Sequence, residues 1–187
     1  LQEAINGPCE GTVIGLGGVA NTGKSALQSQ IAKEIVECND DTIVILHTID
    51  DNRMQMNRRL AVQFAIDIAE SEGVDIELTL NKIANPKYRV THPRYGDAHK
   101  YLMELRDAGY NKLRKLMKDG RLHVKDMTHG ITLDLLERMV RKARADYSDQ
   151  KIVVILDNFH KTGGHQKLDE RTAVKRKSSM LKTGIAQ

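Results

Sequence analysis

The run GVANTGKS, residues 18–25, constrains this 187-residue chain more than any other segment. It fits the pattern G-x-x-x-x-G-K-[ST], with the apolar residues 12–16 ahead of it and an amphipathic stretch behind. A loop of this kind works when a strand delivers it and a helix starts on its last residues. Small residues then let backbone N–H groups turn inward around an anion, at the positive end of that helix. Lys24 adds a point charge for terminal phosphates, and the Ser25 hydroxyl suits a hard divalent cation. Asn21 stands where many such loops carry glycine, and asparagine tolerates left-handed backbone angles. The expectation is a nucleoside triphosphate held with Mg²⁺ by Gly18, Asn21, Thr22, Gly23, Lys24, Ser25 and Ala26. A chance glycine turn before a helix is the bland alternative, and the strand–loop–helix context argues against it.

The remaining sequence alternates strands with helices. A strand is expected over residues 12–16, then a helix from Lys24 with Leu27, Ile31 and Ile35 as its buried stripe. TIVILH (42–47) is apolar and β-branched, as in a strand covered on both faces. Asn52 is placed to cap a long helix in which Met56, Leu60, Phe64 and Ile68 repeat helically. Residues 81–93 carry two prolines and read as a loop. A charged amphipathic helix follows over 97–118, a third strand over 121–124, and a helix over 132–145 with Leu135, Met139 and Ala143 inward. KIVVILD (151–157) is the fourth strand, followed by a glycine-containing loop and a basic helix from about Thr172. The alternation predicts one α/β domain: a mostly parallel sheet wrapped by helices on both faces. Met54 and Met56 read as core filler, and His92, His123 and His129 as surface or capped side chains.

Composition excludes several classes. No apolar run approaches a membrane span, and no signal-peptide pattern is present. Cys9 and Cys38 are isolated, so they read as reduced thiols of a cytoplasmic protein, and no Cys/His spacing fits zinc. The net charge of +4 is uneven: residues 161–187 hold seven Lys/Arg against two acids. A basic end segment is either a solvated helix face or a contact for a polyanion.

Two acids extend the site. Asp157 ends an apolar strand, the position of a carboxylate that holds the magnesium ion or its water. Read alone, it is an ordinary strand-end turn residue; paired with the loop it carries more weight. The second strand ends HTIDD, and in one large division of loop-bearing ATPases that strand lies between the loop strand and the Walker B strand. Its terminal acid then polarises the attacking water. Asp50 is the better candidate; Asp51 is its neighbour, with helix capping as the simpler alternative.

Taken in order, these segments resemble the C-terminal, RecA-like motor domain of replicative DnaB-type DNA helicases. GGVANTGKSALQSQIA matches the family's phosphate loop and first helix. ILHTIDDNRMQMNRRLA is similar to the strand with a catalytic acid and the helix with paired arginines, with Asp50 where the family usually has Glu. RLHVKDMTHGITLDLLERMVRKA resembles the strand, Asp-x-Thr turn and Thr-led helix before the Walker B strand. IVVILDNFHK matches that strand, with His160 where the family usually has a γ-phosphate-sensing Gln, and KSSMLK resembles the helix after the channel loop.

The resemblance implies a P-loop NTPase core with Lys24, Asp50, Asp157 and His160 in catalysis and Ser25 and Asp157 at Mg²⁺. It implies single-stranded DNA on Lys161, Lys167 and Arg171, beside the flexible Gly163 and Gly164, and a ring of subunits, usually six, with ATP at each interface. The family also continues beyond residue 187, with a further sensor strand and an arginine finger, and carries an amino-terminal primase-binding domain. A chain starting at Leu1 is therefore expected to be an excerpt, truncated at the C-terminal side of the core. Two alternatives come from other classes: a P-loop kinase of a small metabolite, and a RecA-like ATP-binding clamp that does not unwind. ATP turnover with and without single-stranded DNA separates the three.

Overall fold

The structure, a computed structural model, describes residues 14–19, 22–49, 51–74, 79, 91–92, 96–97, 99–127 and 131–157. Helix α1 is Lys24–Cys38 and strand β1 Thr42–Thr48; helix α2 follows as Arg53–Ser71. The short strands β2 (Thr91–His92) and β3 (Gly96–Asp97) pair antiparallel. Helix α3 (His99–Lys118), strand β4 (Leu122–Asp126), helix α4 (Leu133–Asp146) and strand β5 (Lys151–Asp157) complete the order.

The main sheet runs β4–β1–β5, parallel throughout. All seven residues of β1 are buried, as its unbroken apolar run requires of a central strand with helices on both faces. Val44 and Leu46 face α1, α2 and α3, where they join Val36, Met56, Leu60, Phe64, Leu113 and Leu116. Ile43, Ile45 and Ile49 face the other way, toward Ala143 and Val140 of α4. The expected α/β architecture with a parallel sheet between helices is what the chain adopts.

Helices α2 and α3 make the closest crossing. A Cβ on Gly109 would lie 2.1 Å from the Ala61 carbonyl oxygen and 3.1 Å from the Ala65 amide nitrogen. Only a hydrogen fits there, so the two backbones meet directly, with Val62, Ala69 and Leu105 sealing one side. Asn52 caps α2 as expected: its side chain accepts from the Gln55 amide while Gln55 Oε1 accepts from the Asn52 amide.

Several sequence expectations are corrected. β1 is flanked by β4 and β5, both edges being hydrogen-bonded, so it does not lie between a loop strand and the β5 strand. Residues 14–16, expected as the end of the loop strand, form no strand, and Ile14 and Leu16 are 45% and 37% exposed. Among the described residues nothing pairs with the far edge of β5, which leaves residues 152–156 half-buried. The buried stripe of α1 is Ser29, Ala32, Lys33 and Val36; Leu27 is 39% exposed, and Ile31 and Ile35 are intermediate. Small side chains let α1 sit close to the sheet, which rotates the larger ones outward. In α4 the buried residues are Leu136, Val140 and Ala143; Leu135 points outward and Met139 is partly buried. Residues 91–92, read as loop, pair with 96–97. Of the two methionines read as core, Met56 is fully buried but Met54 is 67% exposed.

Candidate nucleotide site

Gly18 and Val19 lie against Thr22 and Lys24. Gly23 takes φ +85°, a left-handed angle that glycine adopts freely, and it caps α1. The first intrahelical bond runs from the Leu27 amide to the Gly23 carbonyl at 2.9 Å. The amides of Lys24, Ser25 and Ala26 precede any such bond and by helix geometry point out of the N-terminus, where the partial positive charge of the helix lies. Thr22 Oγ1 donates to the Val19 carbonyl at 2.8 Å. Lys24 Nζ donates to the carbonyls of Gly18 and Val19, at 2.8 and 2.6 Å. A Cβ on Gly18 would stand 2.9 Å from Thr22 Oγ1, so the turn favours glycine. Lys24 and Ser25 are half-buried, and Gly18, Thr22, Gly23 and Ala26 are exposed.

Element lengths place this loop relative to the sheet. α1 has fifteen residues, about 22 Å at 1.5 Å each, and β1 has seven, about 23 Å. Only residues 39–41 connect them, so α1 returns along the sheet and its N-terminus reaches the level of the C-terminal ends of the strands. That edge of an open parallel sheet is where such folds bind ligands.

The same edge carries three acids, Asp51, Asp126 and Asp157. Thr48 stands in register with Asp126 on one side and Asp157 on the other. Asp157 is 4% exposed, and its Oδ2 has no hydrogen-bond partner among the described residues. A buried carboxylate oxygen left open in this way is costly unless a cation or donor meets it, so the position fits a metal ligand. No group of three or more His, Cys, Asp or Glu among the described residues could hold a metal. One carboxylate and one hydroxyl, Asp157 and Ser25, match instead the sparse protein ligation of Mg²⁺, which takes its other ligands from phosphate and water. Asp126 Oδ2 accepts from the Arg53 amide at 3.1 Å.

Asp51 is committed elsewhere. Its Oδ2 pairs with Arg59 Nη1 at 2.5 Å, and its carbonyl accepts from Thr48 Oγ1. It does not cap α2, since Asn52 does; it ties the end of β1 to α2. Sequence reasoning missed the Arg59 partner, which lies two helical turns beyond Asp51 and shows only once the helix is built. Asp50, Asn21, His160, Lys161, Lys167 and Arg171 lie outside the described residues.

His47 was also missed. It is 1% exposed on the α4 side of the sheet, with Nδ1 lacking a partner among the described residues. Burial, then the nearby Lys125 charge, push its pKa from 6.5 down to about 4, so the ring is neutral near pH 7. Its place in an apolar run gave the only available signal.

No family model and no curated protein matches this chain. Two solved structures share its fold. One, an ATPase domain, aligns with a TM-score of 0.61 at 13% identity, over 87% of this chain and 50% of that one. A DnaB-like replicative helicase, in a structure describing its interactions with primase, aligns with a TM-score of 0.62 at 14% identity. That match covers 89% of this chain and 34% of the other, so this chain spans half or less of the structures it matches. No helix among the described residues is long and apolar enough to cross a membrane. At these identities the likeness establishes architecture, an α/β chain with a parallel sheet flanked by helices, consistent with a RecA-like P-loop NTPase core.

Proposed function

We propose that the chain is the ATP-hydrolysing motor core of a DnaB-like helicase, coupling turnover to movement on single-stranded DNA. The observation that carries this reading is the pairing of two features at one sheet edge: a glycine loop whose lysine is folded onto its own carbonyls, and a buried aspartate oxygen with no partner among the described residues. Each is a group that a magnesium-bound triphosphate would satisfy.

In this reading the triphosphate displaces the Gly18 and Val19 carbonyls from Lys24 and takes its ammonium between the terminal phosphates. The amides at the start of α1 supply the remaining donors. When bound, Mg²⁺ would neutralise charge on the phosphates. Ser25 and Asp157 are the residues that would hold the ion. Asp50 orients the attacking water, and Asp51, fixed by Arg59, holds the backbone that carries it. Asp is one methylene shorter than Glu, so the backbone must bring Asp50 closer to the water. His160 would report the terminal phosphate to the segment bearing Lys161, Lys167 and Arg171, where DNA phosphates bind without regard to sequence. A homo-oligomeric ring and a primase partner belong to the same reading.

The test is nucleotide binding followed by turnover. Lys24→Ala should lower affinity for ATP at least about 10-fold, the loss of one charge-assisted contact. Asp157→Asn should remove the Mg²⁺ dependence of binding while the chain stays folded. ATP turnover stimulated by oligothymidylate supports a motor. Stimulation by a small metabolite alone would make it a kinase, and binding without turnover a clamp. Unchanged ATP affinity in Lys24→Ala sinks the reading at its base.

A further inference from the structure

The flank where α2 crosses α3 concentrates arginine. Arg58 of α2 and Arg106 and Arg114 of α3 line one open cavity of about 310 Å³ with Asp107 and Tyr110. Residues 106, 110 and 114 recur every four positions, so they form a single stripe along α3. Like charges gathered on one wall repel, and among the described residues lining it only Asp107 is acidic, 3.3 Å from Arg106. Arg114 bonds the neutral Asn111 side chain at 3.0 Å and lies 5.8 Å from the centroid of the Tyr110 ring. Arg58 is exposed and forms no ion pair with a described residue.

Four cations elsewhere among the described residues are paired with acids outside their own turn. Lys33 meets Asp67, Lys112 meets Glu37, Arg59 meets Asp51 and Arg121 meets Asp40. In the flank Arg106 pairs only with its chain neighbour Asp107, and Arg58 and Arg114 form no ion pair with a described residue, which leaves guanidinium donors for an outside anion.

A second cavity, of about 460 Å³, is lined by the same tyrosine. Asn52, Arg53, Met54, Asn57 and Asp126 complete its lining, and Met54 is 67% exposed there. One wall therefore presents cations, then an aromatic ring, then a thioether beside two side-chain amides. Guanidinium forks suit phosphate oxygens, and an aromatic face beside apolar surface suits an unpaired base. The eight-residue step from Arg106 to Arg114 spans about 12 Å of helix, which a chain of phosphates engages better than one anion does.

We infer that the α2–α3 flank is a binding site for single-stranded nucleic acid, with phosphates on Arg58, Arg106 and Arg114 and a base on Tyr110 beside Met54. A duplex is disfavoured because its bases are not free to stack on the ring. An acidic peptide would use the guanidinium groups but leave the ring and the thioether without a role. This site goes beyond the nucleotide site and the segment bearing Lys161, Lys167 and Arg171, and requires neither.

The experiment measures binding of a labelled oligothymidylate to the chain across a salt series. The triple variant Arg58→Gln/Arg106→Gln/Arg114→Gln should weaken it at least about 10-fold and reduce the log–log salt slope by about 2, as three lost phosphate contacts on a single strand predict. Tyr110→Leu should weaken it about 5-fold or more with the slope preserved. ATP affinity should stay unchanged in both, which also reports that the chain is folded. A Lys161→Ala/Lys167→Ala variant separates the two surfaces. If that variant loses oligonucleotide binding while the arginine variant keeps its affinity and slope, the flank proposal fails and the motor reading stands. If the arginine variant loses a polyglutamate peptide as strongly as it loses the oligonucleotide, the flank belongs to an acidic protein partner and the proposal is overturned.

Discussion

On one side of the sheet, Val44 and Leu46 meet three helices and a core that includes the fully buried Met56, Leu60 and Phe64. On the other, Ile43, Ile45, His47 and Ile49 are covered mainly by α4, with Tyr147 and His123 at its margin. The first side buries Lys33 against Asp67 and is otherwise held by steric fit, down to two backbones in contact at Gly109. The second holds a buried His47 and a half-buried His123 near Lys125, and burial first and that charge second lower the pKa of both. A single sheet thus has one face whose stability answers to volume and one whose stability answers to pH.

The largest effect should come from breaking the steric side. Gly109→Ala gains about 1 kcal/mol of helix propensity. It must also place a methyl group 2.1 Å from the Ala61 carbonyl oxygen, and overpacking of that severity costs about 3 kcal/mol or more. Urea denaturation should show a net loss of at least about 2 kcal/mol, and Gly109→Leu should not fold. An alanine variant as stable as the parent would refute the tight crossing.

Next comes the acid response of the α4 side. His47 titrates at about 4 when folded and near 6.5 when unfolded, so between those values the unfolded chain binds the extra proton. Stability therefore rises with pH across that window and is lost as pH falls through it, by about 3 kcal/mol at the acid end. His123 shifts in the same direction and adds to the loss. His47→Leu should flatten the pH dependence of the urea midpoint across the window from 6.5 down to about 4. A slope as steep as the parent's would remove His47 from the account.

A smaller effect, of about 1 kcal/mol, is expected from Asn52→Ala, which deletes one half of the cap that starts α2. Asn52→Asp should restore most of it, since either side chain accepts the Gln55 amide. The smallest belongs to Tyr147→Phe. The hydroxyl lies 3.4 Å from His123 Nε2, a long contact, so the loss should not exceed about 0.5 kcal/mol. A larger loss would mean that Tyr147 anchors α4 more firmly than that distance allows.

Legibility followed the same division. TIVILHT, KIVVILD and the Met56–Leu60–Phe64 repeat announce themselves, because a buried strand or helix stripe needs only local composition. The start of α1 at Lys24 was legible for a similar reason, since a glycine ahead of an amphipathic stretch marks a helix N-terminus. Strand order was not, since β1 has the same sequence whichever strand pairs beside it. The rotation of α1 onto Ala32 and Val36 was hidden because close packing selected small residues over the larger Leu27 and Ile31. The Asp51–Arg59 pair shows only once α2 is built, and the arginine flank depends on where two helices cross, a crossing written in one glycine with no periodicity around it.

That glycine has a wider consequence. Arg58 rides on one of the crossing helices, while Arg106, Tyr110 and Arg114 ride on the other. The width of the cleft between them is therefore set one layer beneath it, by a missing atom. Enlarging position 109 would spread the two walls without altering a single charge on either, so geometry and electrostatics at this surface can be tuned separately.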